Sequence, residues 1–331
     1  LEKENYLERG TYTMKSFLVL VTARSFGNSD DKAWKLLHAH GCEIRPIQAT
    51  EDKSVLMQLH EQIADADGII AGLEVYDKAL LSKAKKLKVI SRYGVGYDAI
   101  DIEYARERNI KVTITPGANG DSVAELAVTL LLASARHVPY MDQRMKTGEP
   151  KRPLGVQMYR KTLGVVGTGR IGALVVKRCR GFEMEILCHD VYENEELKRD
   201  YKATYVDFAT LVQQSDFISI HTPLTEETRN LFDAKVFAMM KPHSVLVNTA
   251  RGGLIDEDAL AAALENGLIG AAALDVSSSD HPQKGPLSNL PSCILTPHAG
   301  AATYEASSAM SLMAAENLID ILEGRACKYC I

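Results

Sequence analysis

The sequence predicts an α/β protein built from doubly wound parallel sheets. Three observations carry that prediction. Short β-branched runs alternate with helix-period segments along nearly the whole chain, the pattern of a parallel sheet with covering helices. The chain has 331 residues, which at roughly 100–200 residues per domain suggests about two domains. A glycine-rich turn, Gly167–Gly172, stands between a Val-rich strand and a helix-period segment.

The first series opens with Phe17–Thr22, an apolar run that reads as a strand. Asp31–His40 follows as a helix, with Trp34, Leu37 and His38 at helical spacing. Glu43–Pro46, Gly68–Ala71, Lys88–Ser91 and Lys111–Thr113 are further strands. Val55–Ala64, Lys78–Lys85 and Ile102–Arg108 are the segments between them. No close internal repeat accompanies the alternation.

A second series starts after Asp121. Val123, Leu126, Ala127, Leu130, Leu131 and Ser134 share one helical face, and Ala124, Val128 and Leu132 are apolar too. A helix apolar nearly all round is expected to be buried between domains or between subunits. Met145–Pro153 is rich in Lys, Arg, Pro and Gly and reads as a solvated loop. Strands are expected at Thr162–Val166, Glu185–Cys188, Phe217–Ile220, Ser244–Val247 and Gly270–Leu274, with helices between most of them. A final helix spans about Thr303–Leu322, with Ala306, Met310, Met313, Ala314, Ile321 and Leu322 near helical spacing. The pattern alone does not say which domain it completes.

Composition narrows the function classes. The hydrophobic fraction is 46% and the charged fraction 24%, ordinary values for a chain with a sizeable core. A formal net charge of −5 argues against general electrostatic affinity for nucleic acid or an anionic membrane. No stretch approaches the roughly 18 apolar residues of a spanning helix. Leu1–Tyr12 lacks an apolar core and does not read as a secretory signal, and Met14 is an alternative start. Six scattered cysteines argue for a reducing, cytoplasmic compartment. Cys327 and Cys330 form one CxxC at the tail; with no second ligand pair they are read as inert thiols.

The strongest single motif is GxGxxG at Gly167, Gly169 and Gly172. The first glycine permits the tight turn, the second lets the backbone approach a pyrophosphate, and the third lets helix and strand pack closely. The helix that follows offers free N–H groups and a positive dipole end to phosphate. Asp190 lies 21 residues after Gly169 at the end of the next strand. A carboxylate there accepts from ribose hydroxyls and repels a 2′-phosphate, which favours NAD over NADP.

Further motifs follow in order: Arg92-Tyr-Gly-Val-Gly-Tyr-Asp98, His221-Thr-Pro223, the run Met240–Asp256 containing Asn248-Thr-Ala-Arg-Gly-Gly253, Ala273-Leu-Asp-Val276, and Thr296-Pro-His-Ala-Gly300. Together they resemble the D-isomer-specific 2-hydroxyacid dehydrogenase family, which includes phosphoglycerate dehydrogenase and glyoxylate/hydroxypyruvate reductase. The resemblance covers nearly everything from Met14 to Glu323. It implies two Rossmann-like domains. Residues 14–115 and 301–331 would form a split substrate domain, and residues 116–300 an inserted NAD-binding domain, with the active site in the cleft. It also implies that Gly167, Gly169, Arg170, Ile171, Gly172, Asp190, Thr222, Pro223, Thr249, Ala250 and Asp275 contact the cofactor. The apolar helix after Asp121 resembles the family's dimerisation helix, so a homodimer is expected.

The chemistry asks for a grip on a carboxylate, a polarised carbonyl and a proton delivered as hydride arrives. Arg251, just beyond a strand end, suits the first two tasks, because a guanidinium is permanently charged and grips a carboxylate bidentately. His298 is the expected acid/base, since imidazole exchanges a proton near neutral pH. Nine histidines are present; His298 is singled out by the apolar run before it, by Pro297 and Gly300 beside it, and by the family motif. His38 and His40, two apart on a helix, are poor metal partners, and no compact metal-ligand motif appears. The family pairs its histidine with a Glu five residues after the Asp of the Ala-Leu-Asp-Val motif. Asp280 occupies that position here, one methylene shorter, and Ser277-Ser-Ser279 departs from the usual aromatic and acidic pattern.

Gly94, Val95 and Gly96 are expected to present backbone N–H groups to the carboxylate, with Arg92 as a second anion-binding group. Arg92 tilts the expectation toward phosphoglycerate-type chemistry. Glyoxylate/hydroxypyruvate reduction is the nearest alternative, and an NAD-sensing corepressor that binds partner peptides is an alternative from another class. The partners expected are a small 2-oxo or 2-hydroxy acid and NAD.

Overall fold

The computed structural model describes residues 16–278 and 284–331. The described chain divides into two compact units, one holding the residues up to Ala118 together with Tyr304–Ile331, the other Asn119–Thr303.

The first unit contains β1 (Phe17–Val21), α1 (Lys32–Ala39), β2 (Cys42–Pro46), α2 (Val55–Gln62), β3 (Gly68–Ala71), α3 (Lys78–Leu81), β4 (Val89–Arg92), α4 (Ile102–Glu107) and β5 (Lys111–Thr113). Its sheet runs β2-β1-β3-β4-β5, all parallel. Side chains alternate between the two faces of each strand. Leu20, Ile69, Ile90 and Val112 therefore pack in one core with Leu59 of α2 and Leu80 of α3. Val19, Val21, Ile70 and Val89 pack in another with Leu37 of α1 and with Ala314 and Leu318 of the last helix.

The second unit contains α5 (Gly120–Ala135), α6 (Val138–Lys146), β6 (Thr162–Val166), α7 (Arg170–Cys179), β7 (Glu185–His189), α8 (Glu195–Tyr201), β8 (Thr204–Tyr205), α9 (Phe208–Gln214), β9 (Phe217–Ile220), α10 (Ala234–Met239), β10 (Val245–Asn248), α11 (Glu257–Glu265), β11 (Ala271–Leu274) and β12 (Cys293–Leu295). Its parallel sheet runs β12-β11-β10-β9-β6-β7-β8. Leu163, Val165, Val245 and Val247 face α5 and α7, while Val166, Leu246, Ile218 and Ile220 face α9, α10 and α11. The strand order reverses between β6 and β9, the place where open α/β sheets bind ligands.

Several expectations are sharpened or corrected. The last helix, α12 (Tyr304–Leu322), belongs to the first unit. Leu318 and Ile319 are fully buried there, whereas Met313 and Ile321 are only half-buried. Two of its buried polar residues bond to distant parts of the same unit: Asn317 Nδ2 donates to Ile114 O at 3.0 Å, and Ser311 Oγ accepts from Gly27 N at 3.0 Å. On α1 the buried positions are Ala33 and Leu37, and His38 is exposed. The helix expected at Lys78–Lys85 ends at Leu81, because the next amides bond three residues back, Lys83 N to Leu80 O and Ala84 N to Leu81 O.

Within the second unit, α5 packs on α7 and on β10 and β11. Its buried residues Val123, Ala124, Ala127, Leu130, Leu131 and Ala135 face their own unit, so much of its apolarity is explained without a partner. Arg178 of α7 ties the two helices by pairing with Asp121 at 2.6 Å and Glu125 at 3.2 Å. The expected loop from Met145 overlaps the last two residues of α6, a helix the sequence reading omitted. Pro139 sits in its first turn, where a missing N–H costs nothing. Among the described residues no helix is long and apolar enough to cross a membrane.

Candidate active site

Register brings the predicted residues of the second unit to one edge. Val166 pairs with His189 and Ile220, and Asn248 pairs with Ile220 and Leu274. The residues that follow these strand ends therefore share the C-terminal rim of the sheet: Gly167, Asp190, His221, Thr249 and Asp275.

The β6–α7 turn has the form phosphate binding needs. Gly167 has φ +90°, and a Cβ there would lie 2.6 Å from the backbone of His221 and Thr222, so no side chain fits. At Gly172 a Cβ would lie 2.0 Å from Gly167 O. Gly169 is exposed, and a Cβ on it would meet nothing within 4 Å. No side chain caps α7, whose first helical bond runs from Ala173 N to Gly169 O at 2.9 Å. The amides of Arg170, Ile171 and Gly172 are thus helix-end donors without intrahelical acceptors. Thr249 Oγ1, at the end of β10, is buried with no hydrogen-bond partner among the described residues. An uncapped helix end and an orphaned hydroxyl on one rim fit a dinucleotide.

Asp190 follows β7, and its Oδ2 accepts from Thr168 N at 2.5 Å. Thr222 and Pro223 follow β9, where His221 N donates to Val166 O at 2.7 Å and so holds the two strand ends together. The His221 imidazole is half-buried, with Nε2 2.7 Å from Ser219 Oγ, and burial of the ring pushes its pKa down to about 3. It stays neutral near pH 7 and does not serve as a proton carrier there.

Arg251 stands on a turn shaped by Asn248, which is fully buried. Asn248 Oδ1 accepts from Ala250 N at 2.9 Å, and its Nδ2 donates to Arg251 O at 2.8 Å. The half-buried Arg251 side chain donates from Nη1 to Ala250 O at 2.7 Å. The next residue, Gly252, presses on the loop after β11: a Cβ there would lie 2.0 Å from Ser277 C.

His298 is exposed and has a left-handed φ of +54°. Its N–H donates to Asp275 O at 2.9 Å and Thr296 O at 3.0 Å. The Asp275 carboxylate, expected to face the cofactor, is buried and turned toward this same loop. It accepts from Thr296 Oγ1 at 2.6 Å, Ala299 N at 2.7 Å and Gly300 N at 2.8 Å. Asp280 lies outside the described residues.

The sequence reading missed Glu257. Its carboxylate accepts from Ser277 Oγ at 2.9 Å, Ser278 N at 2.6 Å and Ser278 Oγ at 3.0 Å. The serines that depart from the family pattern thus fasten the loop after β11 to the first turn of α11. The only sequence signal was an acidic residue just after a helix cap.

Arg92, Gly94, Val95 and Gly96 lie in the first unit. Arg92 Nε donates to Gly96 O at 2.9 Å, and Nη1 donates to Ala71 O at 3.2 Å and Tyr93 O at 2.5 Å. The guanidinium braces the loop that follows its own strand. Gly94 N donates to Arg92 O at 2.9 Å, so one of the expected carboxylate-binding amides is already engaged.

Other residues singled out by sequence stand apart from the rim. His40 Nδ1 contacts Glu323 Oε1 at 2.6 Å. Cys327 Sγ donates to Asn317 Oδ1 at 3.3 Å, and Cys330 bridges to Thr113. Among the described residues no three His, Cys, Asp or Glu side chains are grouped to hold a metal ion.

Known proteins resemble this chain along most of its length. Residues 128–300 match the family model for the D-isomer specific 2-hydroxyacid dehydrogenase, NAD binding domain. A glyoxylate reductase of Thermococcus litoralis is 42% identical over 276 residues, covering 80% of this chain and 83% of that protein. A D-3-phosphoglycerate dehydrogenase of Methanocaldococcus jannaschii is 45% identical over 272 residues, 81% of this chain but 52% of that protein's length. The crystal structure of D-lactate dehydrogenase from Aquifex aeolicus complexed with NAD and lactic acid superposes with a TM-score of 0.80. It is 26% identical and covers 93% of this chain and 96% of that one.

Proposed function

Because the chain belongs to the D-isomer specific 2-hydroxyacid dehydrogenase family, an NAD-binding oxidoreductase family acting on the CH–OH group of 2-hydroxy acids, we propose that it interconverts a small 2-oxo acid, of the glyoxylate or hydroxypyruvate type, with its D-2-hydroxy acid. The observation that carries this reading is the shared rim of the second unit: the uncapped α7 terminus and the Arg251 turn stand on the same sheet edge, with the His298 loop tied to it through Asp275.

When bound, the nicotinamide supplies or takes a hydride at C2 of the acid. Arg251 grips the carboxylate and polarises the carbonyl. His298 gives its proton to the carbonyl oxygen during reduction and takes it back during oxidation. Asp280 keeps its assignment as the carboxylate partner of His298. The first turn of α7, with Gly167, Gly169, Arg170, Ile171 and Gly172, receives the pyrophosphate, and Asp190 receives the ribose. Thr222, Pro223, Thr249 and Ala250 line the remaining cofactor edge. In the first unit, the expectation that Gly94–Gly96 form an anion-binding nest rests on the Val95 and Gly96 amides, since Gly94 N is engaged.

Arg92 was the reason to favour phosphoglycerate-type chemistry. With Nε and Nη1 given to three carbonyl oxygens, it supports a phosphate-binding role less well, and the smaller acids are preferred. A homodimer through α5 and a cytoplasmic location belong to the same proposal; all six cysteines are free thiols. Initial rates with NADH and glyoxylate, hydroxypyruvate or phosphohydroxypyruvate test the reading. We expect kcat/KM for one of the first two to exceed that for the phosphorylated acid by at least about tenfold, the scale of one well-placed contact. The reverse order restores the phosphoglycerate assignment, and no NADH oxidation with any 2-oxo acid removes the proposal.

A further inference from the structure

We infer that Thr168 and Tyr205 are positioning residues for Asp190 and set the preference between NADH and NADPH; this rests on the reading of Asp190 as the ribose acceptor. Thr168 is the residue between the first two glycines of the turn, where the glycine pattern asks for no particular side chain. Here that side chain is buried, 3% exposed. Its hydroxyl donates to Asp190 Oδ2 at 3.1 Å, the same oxygen that accepts from its N–H at 2.5 Å. Thr168 Oγ1 accepts in turn from the Tyr205 hydroxyl at 2.8 Å, and Tyr205 accepts from Asn194 N at 2.7 Å.

These bonds form one directed chain. An amide that only donates stands at one end and a carboxylate that only accepts at the other. Each hydroxyl between them takes one bond and gives one. Burial holds the Tyr205 phenol above its ordinary range, so it keeps the proton it donates. Tyr205 is placed for this by β8, where it pairs with Cys188 two residues before Asp190.

The relay leaves the two carboxylate oxygens unequal. Oδ2 carries both Thr168 donors. Among the described residues Oδ1 has only a long contact, from Tyr192 N at 3.4 Å, and is the oxygen available to a ribose hydroxyl. A carboxylate held this way has lost its rotational freedom before cofactor arrives, so ordering it adds no cost at binding. It also cannot swing its charge away from a 2′-phosphate. Both effects act in the same direction, toward NADH.

Equilibrium binding of NADH and NADPH, read by cofactor fluorescence with no oxo acid present, tests this without turnover. Thr168→Val should raise the NADH Kd about three- to tenfold, the scale of one hydrogen bond, and narrow the NADH/NADPH affinity ratio. Tyr205→Phe, which removes one oxygen from a half-buried ring, should do the same to a smaller degree. Thr168→Ser should restore wild-type values. If Asp190→Ala leaves NADH binding unchanged, the ribose-acceptor reading itself is wrong. If Asp190→Ala weakens binding while Thr168→Val and Tyr205→Phe bind both cofactors as the wild type does, the relay alone is wrong. An equal loss for both cofactors, with the ratio unchanged, also overturns the relay, because general loosening would weaken the two alike.

Discussion

Asp275 holds the His298 loop through four hydrogen bonds. The His298 N–H meets the Asp275 carbonyl at 2.9 Å, and the residues around His298 donate to the Asp275 carboxylate at 2.6, 2.7 and 2.8 Å. A left-handed non-glycine residue costs roughly 1–3 kcal/mol and persists only where its surroundings over-determine it. The carboxylate supplies that determination.

Asp275→Asn should therefore misplace the proton donor. One oxygen becomes an NH2 that faces N–H and O–H donors and cannot accept from them. We expect kcat to fall at least about tenfold, as small misplacements of catalytic groups do, with an altered pH profile and a lower melting temperature. A wild-type kcat and pH profile would show that the loop does not depend on this carboxylate.

His298→Gln removes the titrating imidazole and keeps a polar side chain of similar reach. Turnover should drop by about 10²–10⁴, the usual share of acid/base catalysis, while NADH binding stays within about twofold. That margin is below the typical contribution of one hydrogen bond. Unchanged turnover would transfer the proton step to another group.

Gly167→Ala puts a methyl where backbone of His221 and Thr222 lies 2.6 Å away, on a residue with φ +90°. The β6–α7 turn and the β9 end must part to admit it. A stability loss of at least about 1–3 kcal/mol is expected from the strained backbone alone, together with a loss of NADH binding. Gly169→Ala, with open space around its Cβ, should leave stability near wild type. Chemical denaturation of the pair compares the two positions directly.

His221 makes stability fall with acidification. Its folded pKa of about 3 lies below the ordinary 6.5, so below pH 6.5 the unfolded chain binds a proton that the folded chain refuses. This contribution is full above pH 6.5 and is lost as pH falls toward 3. The linked slope is at most about 1.4 kcal/mol per pH unit, and the half-buried setting lowers it. Urea denaturation between pH 7 and 4 should show a shallower decline in His221→Asn than in the wild type. Parallel curves would mean that His221 is protonated in the folded protein.

The parts of the fold that were readable in sequence are those set by local periodicity. The central strands β1, β3, β4, β6 and β9 are mostly apolar and buried along nearly their whole length, as strands covered by helices must be, and they stand within a residue or so of their expected ends. Edge strands carry weaker signals. The two-residue β8 was missed, and β12 was visible only as an apolar run. The helix α6 was missed; it buries none of its residues and so carries no core-facing stripe. For α5, composition announced burial correctly but could not say against what, and its own sheet covers much of it.

By itself the sequence determined the chemistry on offer. It showed a glycine turn between a strand and a helix in the pattern of a dinucleotide site, an acid at the next strand end, an arginine and a histidine after later strands, and the family these resemble. Only the tertiary structure decided how the donors and acceptors are spent. Arg92 braces its own loop, Asp275 holds the His298 loop, Glu257 fastens two serines, and Thr168 links Asp190 to Tyr205. The physical reason is range. Periodicity and capping act over a few residues, whereas Gly300 is 25 residues from Asp275 and Tyr205 is 37 from Thr168. Such pairs meet only because parallel strands of matched register bring their ends to one rim, and a hydrogen bond is decided within a few tenths of an ångström there.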